Sequence, residues 1–137
     1  MLLAHLGAPA CGDNRLAVVA WEVAESTNAT FNPLATTHSG GVTALNSAGV
    51  QNFATLRDGL TATVDTLTSG APGYTGILDA LQICAPASVT VDAIRGSVWC
   101  ANCANGAYVA DLLPAVQADF ASFGGRLIAL AAPTLKG

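Results

Sequence analysis

Residues 26–52 carry no helical period, although helical patterns stand on both sides of them. Pro33, Gly40, Gly41 and Gly49 interrupt the segment, and only "VTAL" within it reads as a short strand. A loop of this length is uncommon in a domain-sized chain, and where it occurs it usually carries function. The chain must therefore fold as a helical body that gives a long polar loop a firm seat. The loop follows directly on "WEVAES", where Glu22 and Glu25 accompany Trp21.

The flanking patterns define that body. Residues 2–7 read as a short helix closed by Gly7 and Pro9. A second helix follows, with Asp13 or Asn14 as N-cap, and the spacing of Leu16, Val19, Ala20 and Val23 predicts its core face. Val18, Trp21 and Glu25 fall on the other side, Trp21 and Glu25 as i, i+4 neighbours. A helix apolar on both faces has partners on both sides, which places Glu25 in a groove. "FATLRDGLTATVDTLTSG" predicts the third helix, with Phe53, Leu56, Leu60, Val64 and Leu67 on one face and Thr55 and Asp58 as a capping pair. Ser69 and Gly70 end it.

Tyr74, Ile77, Leu78 and Leu81 mark a fourth helix, broken by Pro86, and "SVTVDAIRGSVW" a fifth that stops at Gly96. "DLLPAVQADFASFGG" sets Leu113, Val116, Phe120 and Phe123 on one stripe, with Pro114 suited to a first turn and Gly124 and Gly125 closing the helix. "RLIALAAP" fits a strand as well as a helix. No repeat, linker or low-complexity block divides the chain. The expected fold is one mostly α domain over residues 1–137, with a long polar loop and a short β segment between its second and third helices.

Composition narrows the partners. Charged residues make up 10% of the 137 residues, against the usual quarter of a soluble domain. The surface is then neutral and polar, which suits a subunit of an assembly or a domain facing a polar polymer. With a net charge of −4 and only five basic residues, the chain lacks the clustered basic face that nucleic acid or an anionic membrane requires. No apolar run reaches the roughly 20 residues that span a bilayer. The first residues lack the basic region of a secretory signal. Action outside a cell would then come through lysis, within a particle, or as part of a processed chain.

Cys11, Cys84, Cys100 and Cys103 are compatible with two disulfides in any of three pairings, or with free buried thiols. A zinc site would need a second close ligand pair, which Cys11 and Cys84 do not form. A redox C-x-x-C would open a helix after a strand, and no such pattern surrounds Cys100 and Cys103. No metal and no cofactor is expected.

The order "WEVAES", "FNPLATT", "NSAGVQNFATLRDGLTATVDTL", "GYTGILDAL" resembles the lysozyme-like domains of bacteriophage endolysins and tail-associated lysins, and more distantly goose-type lysozymes and lytic transglycosylases. The resemblance covers about residues 4–83. In those families a helix ends in a catalytic Glu often followed by Ser. An Asn-Pro segment comes next, then a Gly-hydrophobic-Gln turn lining the sugar groove, then a long core helix. The matching positions are Glu25, Ser26, Asn32, Pro33, Gly49, Val50 and Gln51. "NSAGVQNF" departs from the usual groove segment, and residues 84–137 show no clear counterpart of the aromatic groove-closing elements, with Trp99 and Tyr108 as candidates. The resemblance implies peptidoglycan or another cell-wall glycan as substrate, other virion (tail) proteins as possible partners, and a location in the virion or at the cell wall, after the host cytoplasm.

On that reading Glu25 is the catalytic acid, and Ser26, Asn32, Thr36, Thr37, Asn46, Gln51 and Tyr108 bind substrate. Cleaving a glycosidic bond needs a carboxyl that stays protonated, and burial beside apolar groups provides one. No acid lies between Glu25 and Asp58, so a second carboxylate would have to come through the fold from Asp58, Asp79, Asp92 or Asp111. A transglycosylase-like reaction needs only the one Glu. Three alternatives stand beside this: Glu25 as a helix-end carboxylate tied to loop amides, the same fold kept as a binding or tail-structural module, and a bacterial toxin or effector sharing the domain. Glu22 reads as solvated or structural, and His38 as a surface residue.

Overall fold

The computed structural model describes residues 2–100 and 109–122. Its elements are α1 (Leu2–Leu6), α2 (Gly12–Glu25), β1 (Thr43–Ala44), β2 (Gln51–Asn52), α3 (Leu56–Leu67), α4 (Tyr74–Gln82) and α5 (Ala87–Arg95). A 3-10 turn (Val98–Cys100) and a last helix over residues 109–122, here α6, complete them. The fold is mostly α, and the long loop between α2 and α3 carries the small hairpin. The tail "RLIALAAP" and Phe123 lie outside the described residues.

One corner fastens the helices together. Asp13 and Asn14, expected to cap α2, do other work: the helix starts at Gly12 behind an extended Cys11 that makes no side-chain cap. Asp13 Oδ1 accepts from Ala87 N at 3.0 Å and so caps α5, whose own N-cap is Pro86. Asn14 is fully buried and donates Nδ2 to the Pro9 and Leu81 carbonyls, each at 2.8 Å. Beside them Cys11 is disulfide-bonded to Cys84 across 73 residues of sequence. Closing a loop of that length in the unfolded chain contributes about 4 kcal/mol on the entropy model.

α2 turns a different face inward from the one its spacing predicts. Ala17, Val18, Ala20 and Trp21 are buried, whereas Val23 is 50% exposed and Leu16 and Val19 are half-buried. Trp21 has the largest apolar surface on the helix, so burying it outweighs burying a valine. Ala17 and Ala20 beside it are small enough to let α5 pack closely on α2.

α3 begins as expected, Thr55 Oγ1 accepting from Asp58 N at 3.1 Å. Phe53, just before the helix, is buried under the loop. α5 packs on α4, and α1 on α3. Val109, Leu113 and Val116 of α6 are buried in the common core with Leu60, Ile77 and Ile94. Pro114 stands more than a turn inside α6, not in a first turn. It faces solvent there, where water can replace the missing N–H.

The loop is seated on α3 through Gly59. A Cβ at that position would stand 1.7 Å from the Phe31 carbonyl oxygen, so only a bare Cα admits the loop. Helix propensity alone says that Gly59→Ala stabilises by about 1 kcal/mol. The packing predicts the opposite sign, a loss of about 3 kcal/mol as loop and helix are forced apart. Urea denaturation measures it, and a gain in stability would show that the loop is not held against α3.

Candidate functional site

The loop that starts at Glu25 is built around one side chain. Ser26 closes α2 in the left-handed conformation (φ +42°), its N–H on the Glu22 carbonyl at 3.0 Å. Asn32 is 1% exposed. Its Nδ2 donates to the carbonyls of Thr36 (2.9 Å) and Gln51 (2.8 Å), and its Oδ1 accepts from Thr36 N at 2.9 Å. Leu34, fully buried, pins the same turn to the core. Thr36 Oγ1 accepts from His38 N (3.1 Å) and meets Thr66 Oγ1 of α3 at 2.6 Å, and Thr66 donates onward to Ala62 O at 2.8 Å. The proton order is thereby set: Thr36 donates to Thr66.

The hairpin is tied to this framework. Thr43 pairs with Asn52 and Ala44 with Gln51. Gln51 N donates to Thr36 O at 3.2 Å, and Thr30 N to Asn52 Oδ1 at 2.8 Å. Asn46 shapes the hairpin tip, its Oδ1 accepting from Val50 N at 3.3 Å, while Gln51 turns its Nε2 back to Gly49 O at 2.8 Å.

Between hairpin, α3 and the turn after α5 lies a cleft of about 320 Å³. Thr36, Thr37, Thr66, Tyr74, Val98 and Trp99 line it, together with Ala35 and Ala48. None of these side chains is ionised at neutral pH, and burial pushes the Tyr74 phenol up from its ordinary value. Trp99 stands edge-on to Trp21, ring centroids 5.0 Å apart, and 5.8 Å from Tyr74. Its indole Nε1 donates to Glu25 Oε1 at 3.1 Å. Gly73 sets this arrangement, because a Cβ there would stand 2.5 Å from Ser97 Cα and push the Trp99 turn away. Val98 N also donates to Pro72 O at 3.1 Å. Glu25, half-buried, thus lies one hydrogen bond behind the cleft wall.

A second cavity, of about 330 Å³, opens beside the first turn of the loop. Glu22 and Ser26 line it with Thr27, Phe31, Asn32 and Leu56. Burial there raises the Glu22 carboxyl above its ordinary value, and the positive charge of the α-amino group opposes this as the smaller influence. Of the two roles its sequence context suggests, solvated or structural, half-burial fits the second.

The structure divides the residues singled out from the sequence. Thr36 and Thr37 line the cleft near Trp99 and Glu25, Ser26 and Asn32 line the second cavity, and Asn46 and Gln51 bind the hairpin to itself. Tyr108 and Cys103 lie outside the described residues. Cys100, beside Trp99, is disulfide-bonded as Cys11 and Cys84 are. Among the described residues no cluster of three or more His, Cys, Asp or Glu could hold a metal, and no helix is long and apolar enough to cross a membrane. Sequence reasoning missed Thr66 and Tyr74 as cleft walls and Trp99 as the partner of Glu25. Tyr74 carries helical core spacing that hides the role, Thr66 lies off the apolar stripe of its helix, and Trp99 is 74 residues from Glu25. No family model, curated protein or solved structure matches the chain.

Two measurements probe this framework. Asn32→Ala should cost about 2–3 kcal/mol, because it takes the partner from the Gln51 carbonyl and the Thr36 N–H, and should sharply increase proteolysis within residues 26–52. An unchanged cleavage rate would mean that the loop is held elsewhere. For Glu22, a raised folded-state pKa favours the protonated form in the native protein. Its contribution is fully present below the unfolded value and is lost as pH rises through the folded one. Urea midpoints from about pH 4 to 7 should therefore fall more steeply with pH in the wild type than in Glu22→Gln. Parallel curves would remove Glu22 from its buried setting.

Proposed function

We propose that the chain is a lysozyme-like, phage-type domain that cleaves the glycan strand of peptidoglycan, with Glu25 as its acid. The observation that carries the reading is the hydrogen bond from Trp99 to Glu25 at the wall of a cleft whose lining is uncharged. Hydroxyls of Thr37 and Thr66 and the faces of Trp99 and Tyr74 are the groups with which proteins grip a neutral sugar: donors and acceptors for its rim, aromatic surface for its C–H face.

In that mechanism Glu25 protonates the departing glycosidic oxygen and afterwards acts as base. The indole N–H occupies Oε1 and orients the carboxyl at the cleft wall. Among the described residues the cleft lining holds no acid for a nucleophile or second base, which favours the single-carboxylate, transglycosylase-like course. The wall glycan would be the partner, the virion or cell wall the place of action, and tail proteins the neighbours of a virion-borne form. A second reading keeps the fold and loses turnover, leaving a wall-binding or tail-structural module. Its support is that Glu25 meets the cleft through Trp99 and is not itself part of the lining.

Release of soluble muropeptides from purified peptidoglycan tests both. The wild type should release them, Glu25→Gln should lower the rate by about a hundredfold or more, and Trp99→Phe, which keeps the ring and deletes the N–H, should fall between. Anhydro ends on the products indicate transglycosylation and reducing ends hydrolysis. A folded wild type that binds the wall and releases nothing from several hosts would establish the binding module.

A further inference from the structure

We propose that the second cavity, between the end of α2 and residues 27–33, is a binding site for an organic ammonium group, with the Glu22 carboxylate and the Phe31 ring as its recognition elements. Both side chains line that cavity, and Pro33 and Leu56 add apolar wall on which methylene groups can lie.

The conformation of Phe31 is the first argument. It is a non-glycine residue with φ +54°, and its ring is 47% exposed. A bulky side chain in the left-handed region persists only where the surroundings hold it, and such positions concentrate at binding sites. The surroundings here do hold it. Gly59 admits the Phe31 carbonyl against α3, Thr30 is tied to the hairpin by Thr30 N→Asn52 Oδ1 and Phe53 N→Thr30 O, and Asn32 follows with its three side-chain bonds. The backbone is pinned on both sides of a ring that is left facing outward. Nothing in the core requires that ring.

Glu22 is the second argument. Its carboxyl is partly withdrawn from water, the positive charge of the α-amino group offsets that burial only in part, and among the described residues no Lys, Arg or His side chain lies within ion-pair distance of it. A carboxylate in that position is complementary to a cation, and the face of an aromatic ring attracts the same charge. The form of the cation follows from the walls. One carboxylate falls far short of the six to eight oxygens that calcium takes or the four ligands of zinc. An alkylammonium needs only the carboxylate, the ring and an apolar channel for its chain.

This inference does not depend on glycan cleavage, and its test needs no turnover. Nα-acetyl-lysine amide, with its uncharged counterpart Nα-acetyl-norleucine amide, is titrated into the 15N-labelled protein. Saturable shifts confined to residues 22–33 and Leu56 are expected with the lysine probe, at a millimolar dissociation constant. Glu22→Gln and Phe31→Leu should each weaken it roughly fivefold or more, and the norleucine probe should bind at least that much more weakly. Equal binding of the two probes would reduce the site to an apolar pocket. Absence of shifts in these residues, or affinity untouched by both variants, would overturn the proposal while leaving Glu25 and the cleft as they stand.

Discussion

The buried amide of Asn32 decides what the polar loop can be. Two donors and one acceptor reach the backbone at Thr36 and Gln51, and through them the loop, the hairpin and α3 become one surface. A peptide segment with little apolar content cannot fold on itself by burial, because it has too little to bury. It can be ordered by polar bonds if those bonds are shielded from water, where each is stronger and each omission costs more. Leu34 supplies the shield, fully buried two residues away. The cleft walls at Thr36 and Thr37 exist because this bond set holds them against Thr66.

Much of the body was legible because burial follows a period. The Thr55 cap, the end of α5 at Gly96 and the part of the α6 stripe at Leu113, Val116 and Phe120 all obey local rules, and the structure follows them. The misreadings occur where a tertiary partner outweighs the local rule. Asp13 looks like the cap of its own helix and caps α5 instead, a helix that begins with Pro86 and has no capping side chain of its own. Val23 belongs to a regular apolar stripe and is nevertheless exposed, because Trp21 and the two small alanines decide which way α2 turns. Each depends on a neighbour distant in sequence, and a single chain read locally contains no signal for it.

The candidate site shows the same division. Glu25 and the threonines of "NPLATT" stand out by their chemistry. Trp99 stands out only as an aromatic surface, because its bond to Glu25 is a matter of where one N–H points. That N–H is also a contrast within the aromatic cluster. Among the described residues Trp21 Nε1 is buried without a hydrogen-bond partner, while the adjacent Trp99 Nε1 has a carboxylate. The pair of indoles therefore contributes differently: Trp21 fills the space behind the site, and Trp99 orients the group at its edge.

Two carboxylates three residues apart on one helix end in different surroundings, and this separation carries the widest consequence. Glu25 receives an indole N–H at the wall of an uncharged cleft, whereas Glu22 is desolvated in a cavity walled by Phe31 and Leu56. A paired glycosidase mechanism would need both acids on one substrate bond, at about 5–10 Å. Neither cavity is lined by both: Glu22 lines the second, whereas Glu25 meets the first through the indole of Trp99. A ligand that engaged both would have to be branched or long enough to reach from one cavity to the other, offering a neutral surface to Trp99 and a positive charge to Glu22.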